Sequence, residues 1–115
     1  MHVLLVGLGS MGQKYLKKLE ELEKLPVICD IDPQKATGRH PFYCHIGEVK
    51  EELKAVIVAI DPVEHVKVAK SFLERGIPVL LEKPPALTSE EFMEIYHYPH
   101  LYISEVESFS SCLSY

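Results

Sequence analysis

The sequence contains 115 residues, a length typical of a single compact domain. Hydrophobic residues make up 47% of it and charged residues 25%, which are the proportions of a folded globular protein and argue against a disordered chain. The formal net charge of −5 argues against nucleic-acid and membrane-surface partners, because phosphate-rich surfaces select basic patches. No run approaches the roughly 18 apolar residues that a membrane-spanning helix needs.

The three cysteines, Cys29, Cys44 and Cys112, form neither an even-numbered disulfide framework nor a metal-ligand spacing. We therefore expect a reduced, cytoplasmic protein without a metal site. Cys29 lies within an apolar run, which favours a small core residue over a nucleophile. The first apolar run begins at His2, so we expect no cleaved leader before it.

Short apolar runs alternate with helical periodicity in the first half of the chain. His2–Val6 predicts a strand buried on both faces. Met11–Lys24 predicts a helix, with Ser10 and Gln13 as its capping box. The next predicted elements are two strands and a brief helix, at Pro26–Ile31, Phe42–His45 and Glu48–Leu53.

The second half continues this alternation from a strand predicted at Ala55–Ile60. A helix follows, for which Asp61 is the predicted N-cap, Pro62 the first residue and Glu64 the third. Gly76 is expected to end this helix, whose predicted inner face consists of Val66, Ala69, Phe72 and Leu73. The last predicted elements are a strand at Val79–Leu81, a helix capped by Thr88 and Glu91 that runs to about Tyr96, and a strand at Leu101–Val106.

Apolar strands that alternate with helices indicate a parallel sheet covered on both faces. We therefore predict an α/β fold, a Rossmann-type doubly wound parallel sheet in one domain. Its core is expected in about residues 1–106, and residues 107–115 are expected to form a tail.

The segment from Gly7 to Gly12 matches the pattern G-x-G-x-x-G. It lies between a predicted strand and a predicted helix, the context in which this pattern indicates dinucleotide binding. Gly7 permits the tight turn, Gly9 lets the pyrophosphate approach the backbone, and Gly12 allows close packing of helix on strand. The helix N-terminus offers its N–H groups to phosphates, so Ser10 and Met11 are candidate contacts as well.

Asp30 lies 18 residues beyond Gly12, near the predicted end of the second strand. An acid near this distance accepts hydrogen bonds from the adenosine ribose and repels a 2′-phosphate, so Asp30, with Ile31 beside it, favours NAD over NADP. The alternative is that Asp30 only forms an Asx-type turn, and both interpretations can hold. Lys35 and Arg39 are nearby cations that could accommodate a phosphate, which keeps NADP as the less favoured cofactor.

Two further segments follow predicted strands, at the edge where open α/β sheets bind ligands. After the fourth strand, Asp61 is explained adequately as a helix cap. His65 fits a packed or solvated histidine as well as it fits a cofactor contact. Lys83 follows the fifth strand together with Glu82. A lysine beside the nicotinamide could hold the carboxamide or move a proton, although a charged surface loop is the default interpretation. The candidate cofactor contacts at this edge are Ala59, Ile60, Asp61, His65, Glu82 and Lys83.

Three stretches in this order resemble the glucose–fructose oxidoreductase and inositol dehydrogenase (Gfo/Idh/MocA) family: residues 55–65, residues 76–84 and residues 86–91. Members of that family carry the glycine-rich turn, an apolar strand before a histidine, and an E-K-P motif. Glu82-Lys83-Pro84 matches that motif, and His65 matches the histidine. The resemblance covers nearly the whole chain and implies that Lys83 is the catalytic residue, near the nicotinamide and the reacting carbon.

Enzymes of this family continue into a second domain that holds the substrate, and the sequence stops where that domain would begin. Residues 104–109 also lack the glycine and arginine common at that point, and the helix predicted after Thr88 is short. The resemblance therefore implies NAD(P) binding more firmly than catalysis. We expect no turnover of sugars or polyols by this chain alone.

Two functions fit these observations. The first is an NAD-binding oxidoreductase-family domain that exchanges hydride with a sugar or polyol carbon, with a separate chain supplying the substrate domain. The second is a non-catalytic nucleotide-binding or redox-sensing module. A dehydrogenase of the hydroxyisobutyrate type shares the glycine-rich turn but leaves Glu82-Lys83-Pro84 unexplained. In either case we expect a homo-oligomer or partner complex, formed through an apolar surface of Tyr102, Val106, Phe109 and Leu113.

Overall fold

A computed structural model describes residues 1–83 and 85–103 and shows a six-stranded parallel sheet. The strands are β1 (His2–Val6), β2 (Pro26–Cys29), β3 (Phe42–Tyr43), β4 (Leu53–Val58), β5 (Val79–Leu81) and β6 (Leu101–Ile103). They pair in the order β3-β2-β1-β4-β5-β6, and every pairing is parallel. This order is that of the Rossmann fold, so the predicted fold class is confirmed.

Helices cover both faces of this sheet: α1 (Ser10–Glu21), α2 (His65–Leu73) and α3 (Ser89–Met93). On one face, α1 packs through Leu16 and Leu19. On the other face, α2 packs through the inner-face residues predicted from its periodicity, and all of these are buried: Val66, Ala69, Phe72 and Leu73. Because both faces are covered, the central strands are apolar except at His2 and Lys54 near their amino ends, which is the pattern that predicted them.

Three expectations about the first half of the chain are wrong. Ser10 does not cap α1 in a box with Gln13, because the extended Gly9 is the N-cap and its carbonyl accepts the Gln13 N–H at 2.9 Å. The same helix ends before Lys24, whose N–H donates back to the Leu19 carbonyl at 3.0 Å and closes the helix end. No helix forms over residues 48–53, because Leu53 pairs with His2 as the first residue of β4.

The other boundaries differ by two or three residues at one end of an element, and Asp61 is not the N-cap of α2, which begins at His65 after Glu64. The strands β2, β3 and β4 end two residues earlier than predicted, because the chain turns away from the sheet there to reach the next element. A 3-10 turn, Pro62–Glu64, precedes α2, and α3 ends at Met93 rather than near Tyr96. The core boundary at 106, the tail, Cys112 and most of the expected apolar surface lie outside the described residues.

Cys29 is buried in the core, as predicted. Burial, aided by the negative charge of Asp30, raises the pKa of its thiol to about 11, so the thiol is protonated at neutral pH and is no nucleophile. Within the described ranges, no helix is long and apolar enough to cross a membrane. The same ranges contain no group of three His, Cys, Asp or Glu side chains that could hold a metal ion.

Candidate functional site

Four segments lie side by side at the carboxyl edge of the sheet, because each directly follows one of four neighbouring parallel strands. The strand order changes direction between β1 and β4, and a crevice for a ligand forms at such a switch point. The site residues predicted from the sequence lie at this edge, except His65, which is buried at the start of α2. In the order of the strands β2, β1, β4 and β5, the segments are residues 30–31, 7–12, 59–61 and 82–83.

Gly7 and Gly12 are required by packing inside the protein. Gly7 has φ +96°, and a Cβ at this position would lie 2.5 Å from the Ala59 carbonyl oxygen and 2.6 Å from Cγ2 of Ile60. A Cβ on Gly12 would lie 2.0 Å from the Gly7 carbonyl oxygen. The first and last glycines of the motif therefore bring β1, the start of α1 and the turn after β4 into direct contact.

Gly9 has a different environment, because a Cβ at this position would meet nothing within 4 Å. The open space borders the first turn of α1, where Ser10, Met11 and Gly12 present N–H groups that have no acceptor within the helix. Unpaired N–H groups at the positive end of a helix bind phosphate oxygens. This part of the site fits the pyrophosphate of a dinucleotide, since it combines donors with room for the ligand to approach the backbone.

The Asp30 carboxylate is held at the β2 end of the site by two backbone donors. Its Oδ2 accepts the Leu8 N–H at 2.8 Å, and its Oδ1 accepts the Asp32 N–H at 2.9 Å. The second bond is the Asx-type turn that was one of the two interpretations of this residue. Each carboxylate oxygen can accept more than one hydrogen bond, so a ribose contact by Asp30 is compatible with this geometry. Ile31 beside it is 84% exposed.

The turn after β4 is fastened from beneath by His65, whose side chain is fully buried. Its Nε2 lies 2.7 Å from the Ile60 carbonyl oxygen, so Nε2 carries the ring proton in this pairing. Its Nδ1 has no hydrogen-bond partner among the described residues. The ring thus supports the turn that packs on Gly7, while a direct contact with a cofactor stays a prediction. Asp61 caps the following turn, because its Oδ1 accepts the Val63 N–H at 3.1 Å.

Glu82 and Lys83 occupy the β5 end of the site. The Glu82 N–H donates to the Val58 carbonyl at 3.2 Å, which extends the pairing of β5 with β4 by one residue. The Glu82 side chain is half-buried, and its carboxylate accepts a hydrogen bond from the Tyr15 hydroxyl of α1. Lys83 is exposed at the same edge.

Two contacts of this site were not predicted from the sequence: the Leu8 N–H on Asp30 and the Tyr15 hydroxyl on Glu82. Side-chain alternation could have indicated the second. Leu80 faces α1, so Glu82, two residues further along the strand direction, faces the same side. Tyr15 lies one turn beyond Gly12 on α1, which placed it near this edge.

A family model described as an oxidoreductase family with an NAD-binding Rossmann fold matches residues 1–99. The chain is similar to the rhizopine catabolism protein MocA of Rhizobium meliloti, with 30% identity over 76% of this chain and 30% of that protein. It has the same identity to the myo-inositol dehydrogenase Hyg17 of Streptomyces leeuwenhoekii, over 76% of this chain and 29% of that one.

Among solved structures, a Gfo/Idh/MocA family oxidoreductase from Vibrio cholerae superposes with a TM-score of 0.82 and 26% identity. The superposition covers 90% of this chain and 38% of that one. The chain thus spans about a third of the length of the proteins it matches. The family match covers the glycine-rich turn, the turn after β4 and the segment after β5. The chain belongs to the Gfo/Idh/MocA oxidoreductase family, and its described domain is the family's NAD-binding Rossmann domain.

Proposed function

We propose that this domain binds NAD(H) in preference to NADP(H) and serves hydride exchange with a polyol or sugar carbon. The alignment of the four edge segments carries the proposal. Asp30, the open space at Gly9 and the Glu82-Lys83 segment follow one another across β2, β1, β4 and β5, an arrangement suited to an extended dinucleotide. In this arrangement the adenosine ribose lies at Asp30, the pyrophosphate at Gly9 and the nicotinamide toward Lys83.

The bound nicotinamide supplies the hydride acceptor or donor, and the protein must manage the accompanying proton. When an alcohol is oxidised to a ketone, its carbon loses a hydride and its hydroxyl loses a proton. We propose that Lys83 Nζ takes this proton, or returns it in the reverse direction, as the catalytic residue. The polyol class is supported by the similarity to a protein named as a myo-inositol dehydrogenase.

The charges on the neighbouring surface bear on the choice between NAD and NADP. A cleft of about 380 Å³ beside Leu8 contains three cations, Lys17, Lys35 and Arg39. Arg39 Nη2 lies 3.1 Å from Oε2 of Glu20, and His40 Nε2 lies 2.7 Å from the same oxygen. These hydrogen bonds lower the pKa of the Glu20 carboxyl, and the bond from His40 has the larger effect. Glu20 therefore stays charged beside Arg39. Of the two cations named above as able to accommodate a 2′-phosphate, Arg39 is therefore paired with an acid, and Lys35 lies in the same cleft.

We expect NADH to bind at least tenfold more tightly than NADPH, a difference of about 1.4 kcal/mol. Asp30 accounts for it, because its fixed carboxylate pairs with ribose hydroxyls and repels a 2′-phosphate. Calorimetry with NAD, NADH, NADP and NADPH measures this directly. The variant Asp30→Asn should narrow this difference in affinity between NADH and NADPH, whereas Glu90→Gln, which removes an exposed carboxylate on α3, should leave it unchanged. Tighter binding of NADPH by the parent would overturn the assignment of Asp30.

Activity and assembly are tested separately. We propose that a separate partner chain supplies the substrate site. We also propose that the protein is a cytoplasmic homo-oligomer. Hydride transfer requires the reacting carbon within about 3–3.5 Å of its acceptor, which demands a wall on the far side of the cofactor. We expect the pure chain to show no turnover of inositols or sugars in steady-state assays and to exceed a monomer's mass in light scattering. Robust turnover by a monomer would contradict both expectations. If the chain binds NADH but shows no turnover with any partner chain, the redox-sensing alternative is favoured.

A further inference from the structure

Tyr15 connects the phosphate-binding helix to the far end of the site. Its hydroxyl donates a hydrogen bond to Oε1 of Glu82, across a separation of 67 residues in the sequence. Tyr15 lies on α1, one turn beyond Gly12, and its ring packs at the margin of the core cluster beneath that helix. Glu82 follows β5, two strands away from β1. This hydrogen bond thus links the helix at the pyrophosphate region to the Glu82-Lys83 segment.

The geometry of β5 explains why this bond matters for Lys83. Glu82 directly follows β5, and Lys83 lies in the bend that comes next in the chain. The Glu82 N–H is bonded to the Val58 carbonyl at 3.2 Å, and its carboxylate is held by Tyr15. Because the backbone and side chain of Glu82 are both tethered, the point from which the exposed Lys83 side chain extends is restrained as well.

We propose that Tyr15 is a positioning residue, which holds Glu82 so that Lys83 is presented to the nicotinamide half of a bound dinucleotide. The inference rests on the proposed function and adds to it a residue outside the glycine-rich and E-K-P motifs. It predicts a selective defect. Loss of the hydroxyl should disturb the nicotinamide end of the site and leave the adenosine and pyrophosphate end intact, because Asp30 and Gly9 do not depend on this bond.

The test compares two ligands that share the adenosine and pyrophosphate groups, NADH and ADP-ribose. ADP-ribose has no nicotinamide, so only NADH reports on the Glu82-Lys83 end. In calorimetric titrations, we expect Tyr15→Phe to weaken NADH binding about fivefold and to change ADP-ribose binding by less than about twofold. Glu82→Ala should reproduce the effect, and the double variant should be no worse than Glu82→Ala alone, because both changes break the same link.

Tyr43→Phe is the matched control. The Tyr43 hydroxyl also donates to a glutamate, Oε1 of Glu51, at 2.9 Å, but it lies on β3 away from the β5 end of the site. This variant should leave both dissociation constants unchanged. If Tyr15→Phe weakens the binding of NADH and ADP-ribose equally, Tyr15 has only a structural role. If it weakens the binding of neither ligand, Tyr15 has no role. Either result overturns the inference. If the parent bound ADP-ribose and NADH equally poorly, the proposed function itself would fail.

Discussion

Replacing Gly12 by alanine is expected to destabilise the domain by about 3 kcal/mol or more. The added Cβ would lie 2.0 Å from the carbonyl oxygen of Gly7, and that neighbour is backbone that cannot rotate away. Alanine is favoured over glycine within a helix by only about 1 kcal/mol, so the steric overlap outweighs the gain in helix propensity. The helix must move off β1 to relieve the overlap.

Thermal unfolding measures this effect, and a loss of about 3 kcal/mol corresponds to a fall of at least about 12 °C in Tm for a small domain. Gly47→Ala is the matched control. A Cβ at Gly47 would meet nothing within 4 Å, and the position lies in the short turn Ile46–Glu48 away from the site. Its Tm should stay within a few degrees of the parent's or rise slightly. A Gly12→Ala variant as stable as this control would show that the contact between α1 and β1 is looser than the structure has it.

Unlike Gly12→Ala, the change Gly9→Val is expected to cost little stability. It should weaken dinucleotide binding by at least about 100-fold, or about 2.7 kcal/mol. Apart from Gly9 and its two chain neighbours, no atom of the described residues lies within 4 Å of the position of its Cβ, and the backbone at φ −79° and ψ −157° is open to residues with side chains. The valine would project into the space that the pyrophosphate requires in order to reach the N–H groups at the start of α1. Its cost at an N-cap is at most about 1 kcal/mol.

Calorimetry with NADH and thermal unfolding together resolve this prediction. Gly47→Val introduces the same side chain at another open position, and it should retain the parent's affinity. The pair Gly9→Val and Gly12→Ala separates a binding glycine from a packing glycine within one motif of six residues. A folded Gly9→Val variant that binds NADH as well as the parent would refute the phosphate-loop assignment.

The sequence by itself determined the fold class, because the unbroken apolar strands and the helical periods between them admit only a sheet covered on both faces. It also indicated the edge that we propose binds the dinucleotide, since the glycine motif, Asp30 and the Glu82-Lys83 segment each follow a strand. Element ends were less predictable. Residues 48–53 have an ambiguous pattern, and only the pairing of Leu53 with His2 makes that segment the start of a strand.

The motif predicted how the three glycines divide their roles, and only the tertiary structure showed which atoms a Cβ at Gly7 or Gly12 would meet. The tertiary structure also decided that His65 is buried against the Ile60 carbonyl and that Tyr15 reaches Glu82. The physical reason is common to these cases. Local pattern specifies which face a side chain occupies, whereas a hydrogen bond between residues 67 positions apart depends on the crossing of α1 over the sheet. That crossing is set by packing of the whole core and not by any one segment.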